Sequence, residues 1–167
     1  MAATATYSAS MRTRKTSSSG NAKSAVACQE YYDDSYNYVG IVHFSGMALS
    51  GKVITGISLR VKADQAGYGG GHTKTVYVRK SKYQAVSQSG VTGGSYYGDA
   101  LGTFTGSFYG NTTTYTLSGS LLTNMAAYLA EGNNTICLFN PSPVKSSQGY
   151  STNYLQWSAC SIAVTYE

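Results

Sequence analysis

The sequence predicts an all-β fold, an antiparallel and jelly-roll-like β-sandwich of about nine or ten strands with one short α-helix near residues 121–131. Short runs of alternating apolar and polar residues recur along the chain, and turns rich in Gly or Asn separate them. Sixteen Tyr and nineteen Gly stand beside charged residues that make up only 11% of the chain. Many short strands joined by turns are typical of a sandwich, because each strand buries one of its two faces.

The strands with the strongest signal lie in the first half of the chain. The run at 53–62 (VITGISLRVK) alternates, and the side chains expected on its buried face are Val53, Ile57, Leu59 and Val61. The run at 38–44 (YVGIVHF) is apolar at both alternating positions, which predicts a central strand covered on both sides. Weaker runs predict strands near 4–11, 24–28, 75–79, 102–108, 112–117 and 135–140, and a long polar loop at 84–100.

Residues 121–131 break this alternation. Apolar side chains recur there at helical spacing, Ser118 or Ser120 is placed to cap the start of a helix, and Gly132 is placed to end it. We expect this amphipathic helix to lie on the sandwich. Its apolar face is then buried together with Trp157 and the apolar face of the first strand described above.

The two ends of the chain each predict a feature of its organisation. The run at 154–166 changes the phase of its apolar face near 158–161, which indicates a bulge or a break between two strands. Residues 1–23 are basic and of low complexity, so we expect an N-terminal arm or an edge strand, while 24–167 form a single sandwich domain. No secretory signal or transmembrane run is found, so we expect synthesis in a cytoplasm and no membrane partner.

Residues that support catalysis or bind metals and cofactors are few and scattered. His43 and His72 are far apart, and His43 is expected to be half-buried and hydrogen-bonded. The three cysteines, Cys28, Cys137 and Cys160, lack CxxC spacing and are interpreted as buried apolar residues. One disulfide plus a free thiol is the open alternative, and the sequence does not choose the pair. Because no phosphate-binding loop or nucleophile motif is present, we expect no metal, no cofactor and no enzyme activity. The acids that the fold could bring together for glycoside hydrolysis are Glu30, Asp33, Asp34 and Asp99.

Two Tyr-rich stretches are the candidate contact sites. Each joins aromatic rings to carboxylates, a combination suited to sugars, although Tyr is also enriched at protein interfaces. The candidate contacts are Tyr31, Tyr32, Asp33, Asp34, Tyr36, Tyr96, Tyr97 and Asp99. The net charge is only +5, and the basic residues of 74–82 alternate between faces. We therefore expect a solvated strand face there and not a nucleic-acid site.

Three segments resemble DNRLRE-type β-sandwich modules, and they occur in the same order: YNYVGIVHFSGMALSGKVITGISLRVKA (36–63), LLTNMAAYLAEGNNTICLFN (121–140) and YLQWSACSIAVTYE (154–167). In such modules a strand ending in Phe leads through a short Leu–Gly connection to an alternating strand, and the last strand reads close to LxVTY. The acidic and arginine residues that give the family its name are not evident here, and the loop at 84–100 is long. The resemblance implies a sandwich without catalytic residues, as in bacterial surface proteins and structural proteins of phages of Gram-positive bacteria.

Composition and resemblance together predict a non-enzymatic protein of a phage virion. It would be a tail, baseplate, collar, fibre or capsid decoration component that acts by assembly, with host-surface adhesion as a further role. Its partners would be copies of itself or other virion proteins. The alternative is a carbohydrate-binding module of a bacterial secreted or cell-surface protein, whose partners would be surface glycans.

Overall fold

The computed structural model describes residues 1–15, 21–22, 25–28, 38–66, 73–138 and 155–167. Its strands are β1 (Ala3–Lys15), β2 (Asn21–Ala22), β3 (Ala25–Cys28), β4 (Tyr38–Phe44), β5 (Ile54–Ala66), β6 (Thr73–Ser81), β7 (Tyr97–Ser107), β8 (Thr112–Thr116), β9 (Thr135–Leu138) and β10 (Leu155–Tyr166). One helix, α1, spans Gly119–Ala130. The strand pairs of the described residues are antiparallel, so the all-β class with one helix is confirmed.

The strands form one curled sheet in the order β7-β6-β9-β4-β1-β10-β5-β8, with β2 beside β1 and β3 beside β10. β1 joins two halves of this sheet, because residues 3–8 pair with β10 and residues 9–15 pair with β4. Residues 1–23 were expected to form an arm or an edge strand, and residues 3–15 of them form a strand inside the same sheet. We call β10, β5, β8 and residues 3–8 the front half. The two-layer jelly-roll form of the sandwich stays a prediction.

The interior is filled by the apolar faces of both halves. Ile57, Leu59 and Val61 are buried with Trp157 and the apolar face of α1, as the sequence predicted. The ends of the curled sheet meet on this interior, because the ring centroid of Phe104 in β7 lies 5.3 Å from that of Tyr115 in β8. The remaining large side chains of the core include Phe44, Leu49, Val76, Val78, Leu101, Phe108, Ile136, Leu138, Ile162 and Val164.

A bulge in β10 produces the predicted change of phase. Trp157 pairs with Ala63 and Ala159 pairs with Lys62, so Ser158 is the extra residue. Trp157 and Cys160 therefore both point into the core although their positions differ in parity. The prediction for 158–161 is confirmed as a bulge within one strand.

A second bulge explains why the prediction for Val53 is wrong. Tyr166 pairs with Ile54 and Thr165 pairs with Gly56, so Thr55 is an extra residue in β5. Because of this bulge, both Ile54 and Ile57 pack against the core although their positions differ in parity. Val53 is left before the strand, with 64% of its surface exposed.

The helix α1 packs on β7 and β5. Ser118 occupies its N-cap position, although the side chain makes no capping hydrogen bond. Gly132 lies just beyond its last turn with a φ of +93°, a conformation that favours glycine. Leu121, Met125 and Leu129 are buried, so the predicted apolar face is the packed face.

β4 is covered on both sides, as its sequence predicted. Val42 and Phe44 face the main core, whereas Val39 and Ile41 belong to a second apolar cluster on the opposite side. Residues 82–96, here called the covering segment, pack over that side and include a short 3-10 turn at Gly93–Ser95. The prediction of a polar loop at 84–100 is therefore wrong in part, because this segment carries an apolar cover and β7 already begins at Tyr97.

Candidate functional site

Tyr96, one of the predicted contacts, lies inside the molecule. Its ring centroid is 5.1 Å from that of Tyr83 and 5.0 Å from the guanidinium carbon of Arg14. Its hydroxyl oxygen accepts a hydrogen bond of 2.6 Å from the backbone N–H of Gln88. Arg14 is itself buried and donates to the carbonyl oxygens of Gln88 at 2.8 Å and Val91 at 2.6 Å. These contacts fix the covering segment to β1, and the Tyr96 ring is not at the surface.

Tyr97 and Asp99 stay at the surface. The guanidinium carbon of Arg79 lies 4.9 Å from the ring centroid of Tyr97, and its Nε donates to the carbonyl oxygen of Gly98 at 2.8 Å. Tyr97 is half-buried and Asp99 is exposed. The other predicted contacts lie outside the described residues: Tyr31, Tyr32, Asp33, Asp34 and Tyr36. Glu30 and His72 lie outside them as well.

A hydrogen-bond network that sequence analysis missed links α1 to β6 and β9, and its centre, Tyr128, is buried. The hydroxyl of Tyr128 accepts from the backbone N–H of Ser81 at 3.1 Å and donates to the carbonyl oxygen of Thr135 at 2.7 Å. The side-chain carbonyl of Gln84 accepts from the N–H groups of Asn134 at 2.8 Å and Thr135 at 3.0 Å. Burial raises the pKa of Tyr128, so its hydroxyl stays protonated and serves as a structural hydrogen-bonding group.

The described His and Cys side chains are placed for packing. His43 is half-buried as predicted, with Nδ1 2.8 Å from Oγ1 of Thr135, and burial lowers its pKa. Cys137 and Cys160 are buried free thiols, and burial raises the pKa of each to about 12, so neither is a nucleophile near neutral pH. Among the residues that the structure describes, no group of three or more His, Cys, Asp or Glu could hold a metal ion.

The front half of the sheet presents a broad polar surface, which the sequence analysis did not identify. We call it the front face, and its outward side chains are Thr4, Thr6, Ser8, Ser58, Arg60, Lys62, Thr112, Thr114, Thr116, Ser161, Ala163 and Thr165. Register places them in rows across the strands, one of which is Ser8, Ser161, Arg60 and Thr114. With strands about 4.8 Å apart and alternate residues about 6.8 Å apart, the face spans about 14 by 20 Å between its outermost Cα positions.

Two cations lie within this hydroxyl-bearing surface. Arg60 and Lys62 are exposed alternate residues of β5, and alternate residues of a strand share a face. Thr114 stands beside Arg60 and Thr112 beside Lys62 in β8. Among the described side chains, neither cation forms an ion pair with a carboxylate. The front face therefore carries a local positive charge surrounded by hydroxyl groups.

β8 is a short edge strand at one end of the sheet. Within the described part of the chain it pairs with β5 alone. Its sequence, TTTYT, contains no charged residue and no proline. The backbone N–H of Leu117 donates to the carbonyl oxygen of Ile57 at 2.9 Å, which fixes the hydrogen-bonding parity of this strand pair. Because bonded and non-bonded pairs alternate, the backbone groups of Thr112, Thr114 and Thr116 point away from β5.

Comparison with known proteins gives no match: no protein-family model, no curated protein and no solved structure is similar to this chain. The resemblance to DNRLRE-type modules therefore stays a prediction. Within the described residues, no helix has the length and apolar character needed to cross a membrane.

Proposed function

We propose that this chain is a non-enzymatic structural protein that assembles in many copies, as a component of a phage virion. The observation that carries the proposal is the edge of β8, which within the described residues pairs with no strand other than β5. An exposed edge presents unpaired N–H and C=O groups to other chains, and natural sheets usually protect such edges with charges, proline or a cover. β8 has neither a charge nor a proline, so its Thr-rich edge suits pairing with a strand of another copy.

The opposite end of the sheet is less suited to this role. β7 carries the acidic Asp99, and α1 packs against it. An ideal Cβ on Gly102 of β7 would lie only 3.0 Å from Cβ of Leu121, so the helix sits directly on this strand. The assembly contact is therefore assigned to β8, with copies of this chain or other virion proteins as partners.

Blocking the edge of β8 tests assembly. Thr114→Pro removes an N–H that points away from β5, so it should prevent pairing with a second strand without breaking a hydrogen bond to β5. Thr114→Ala is the matched control, because it keeps that N–H. Light scattering after size-exclusion chromatography should give a multi-copy mass for the native chain and the alanine variant. The proline variant should give the 17.7 kDa monomer. A native chain that stays monomeric, or a proline variant that assembles equally well, would sink the proposal.

The virion setting has its own test. Mass spectrometry of purified particles from the source should detect this chain in many copies per particle. Detection only in the culture supernatant or on bacterial cells would replace the virion with the alternative, a carbohydrate-binding module of a secreted or surface protein. The observation that favours this second candidate is the front face with its hydroxyls and two cations.

A further inference from the structure

We propose that the front face binds an anionic polysaccharide, with Arg60 and Lys62 pairing with its acidic groups and the neighbouring Ser and Thr hydroxyls bonding to the sugars. This inference rests on the adhesive part of the proposed function and names its ligand class. It does not depend on assembly through β8.

Charge is the first argument for an anionic ligand. Arg60 and Lys62 lie next to each other on the outer side of β5, and neither is matched by a described carboxylate. Their Cα atoms are about 6.8 Å apart on the same face, so the two like charges repel each other and an anion bound between them would offset that repulsion. Guanidinium and ammonium groups form their strongest hydrogen bonds with carboxylates, sulfates and phosphates.

The size of the front face argues against a second copy of this chain as its occupant. The face spans about 14 by 20 Å, whereas a stable protein interface buries about 800 Å² on each partner. A two-fold contact through this face would also bring Arg60 and Lys62 against the same cations of the other copy. A polymer that lies along the strands needs less area and meets neither obstacle.

The neutral part of the face favours a sugar polymer over other polyanions. Hydroxyl groups surround the two cations, including Ser161 of β10 and Thr112 and Thr114 of β8. Such groups both donate and accept hydrogen bonds, as sugar hydroxyls do. Nucleic-acid binding rests on a larger number of phosphate contacts than two cations provide.

An exposed aromatic ring lies in the connection between β7 and β8, at the Lys62 end of the face. Tyr109 is 65% exposed in the connection that leads into β8. An ideal Cβ on the next residue, Gly110, would lie 3.8 Å from the carbonyl oxygen of Ala63, which places this connection beside β5 just beyond Lys62. An apolar ring face suits the C–H side of a pyranose, so Tyr109 extends the face for a sugar.

The test compares two double variants that remove the same charge. Arg60→Ala with Lys62→Ala changes the front face, whereas Lys52→Ala with Lys82→Ala removes two exposed cations elsewhere. The probes are polygalacturonate and heparin as anionic polysaccharides, dextran as a neutral one, and polyglutamate as a polyanion without hydroxyls. Affinities are measured by calorimetry in about 50 mM salt, where screening is moderate.

We expect the native chain to bind at least one of the two anionic polysaccharides, to prefer it to polyglutamate and not to bind dextran. The front-face variant should lose about tenfold or more in affinity, and the control variant less than about twofold. Asp64→Asn, which removes the acid nearest to the pair in the sequence, should leave the affinity equal or higher.

Three results would overturn the inference. They are no binding to either anionic polysaccharide, equal loss in both double variants, and binding to polyglutamate as strong as to the polysaccharides. Light scattering on the same samples separates this inference from assembly. A front-face variant that still assembles but no longer binds supports both ideas, whereas a native monomer that binds refutes only assembly.

Discussion

Gly106→Ala is expected to destabilise the protein by about 1–3 kcal/mol, the usual cost of overpacking an interior. Gly106 lies in β7 where the two ends of the curled sheet meet. An ideal Cβ at this position would lie 3.0 Å from Cζ and 3.1 Å from Cδ1 of Tyr115, and nearer still to Cε1. The Tyr115 ring has little freedom to move, because its centroid is 5.3 Å from that of Phe104 and 5.1 Å from that of Phe108. Its hydroxyl also donates to the carbonyl oxygen of Ser107 at 2.8 Å.

Gly56→Ala is the matched control in β5. An ideal Cβ there would lie 3.5 Å from Cβ of Thr165, an ordinary contact, and neither glycine has a positive φ. The control should stay within about 0.5 kcal/mol of the native chain or stabilise it slightly, because alanine restricts the unfolded state. Urea unfolding followed by tryptophan fluorescence suits both variants, since Trp157 is the single tryptophan and is fully buried.

A double-mutant cycle shows whether the loss of stability in Gly106→Ala arises from the contact between the new methyl group and the Tyr115 ring. In a Tyr115→Leu background the ring is gone, so Gly106→Ala should cost clearly less than it does in the native chain. Equal losses of stability in the two glycine variants would refute the packing of β7 against Tyr115 of β8. An undiminished loss for Gly106→Ala in the Tyr115→Leu background would refute it as well.

The local sequence pattern was enough to predict several elements and the faces that they bury. The run 38–44 was predictable because it is apolar at both alternating positions, and the helix near 121–131 because its apolar residues recur at helical spacing. The bulge near 158–161 was also predictable, because the apolar residues on its two sides differ in parity. Val53 was misplaced because it is apolar whichever way it faces, so the bulge at Thr55 left no sign in the polarity pattern.

The covering segment and the front face could not be predicted because they depend on contacts between distant residues. β4 has two apolar faces and therefore needs packing on both sides. Its sequence does not reveal that Tyr96 and its neighbours cover the second face. On the front face, Thr4 and Thr165 are adjacent although they come from opposite ends of the chain. Each strand reveals its polar positions, but only strand order and register align them into one surface.

The remaining predictions concern the core and the buried thiols. Leu59→Ala should cost about 2–5 kcal/mol because the side chain is fully buried, whereas Arg60→Ala on the exposed side should stay within about 0.5 kcal/mol. If urea unfolding gives similar losses of stability for the two variants, Leu59 does not face the core and Arg60 does not face solvent as described. Burial raises the pKa of Cys137 and Cys160 to about 12, whereas an unfolded thiol titrates near pH 8.5. The folded state therefore holds these protons more tightly, so this contribution to stability is complete below about pH 8.5 and is lost as the pH rises towards 12. Urea midpoints should fall over that range, and they should fall less steeply when both cysteines are replaced by alanine. An unchanged slope in that double variant would mean that other groups, such as the buried tyrosines, cause the decline.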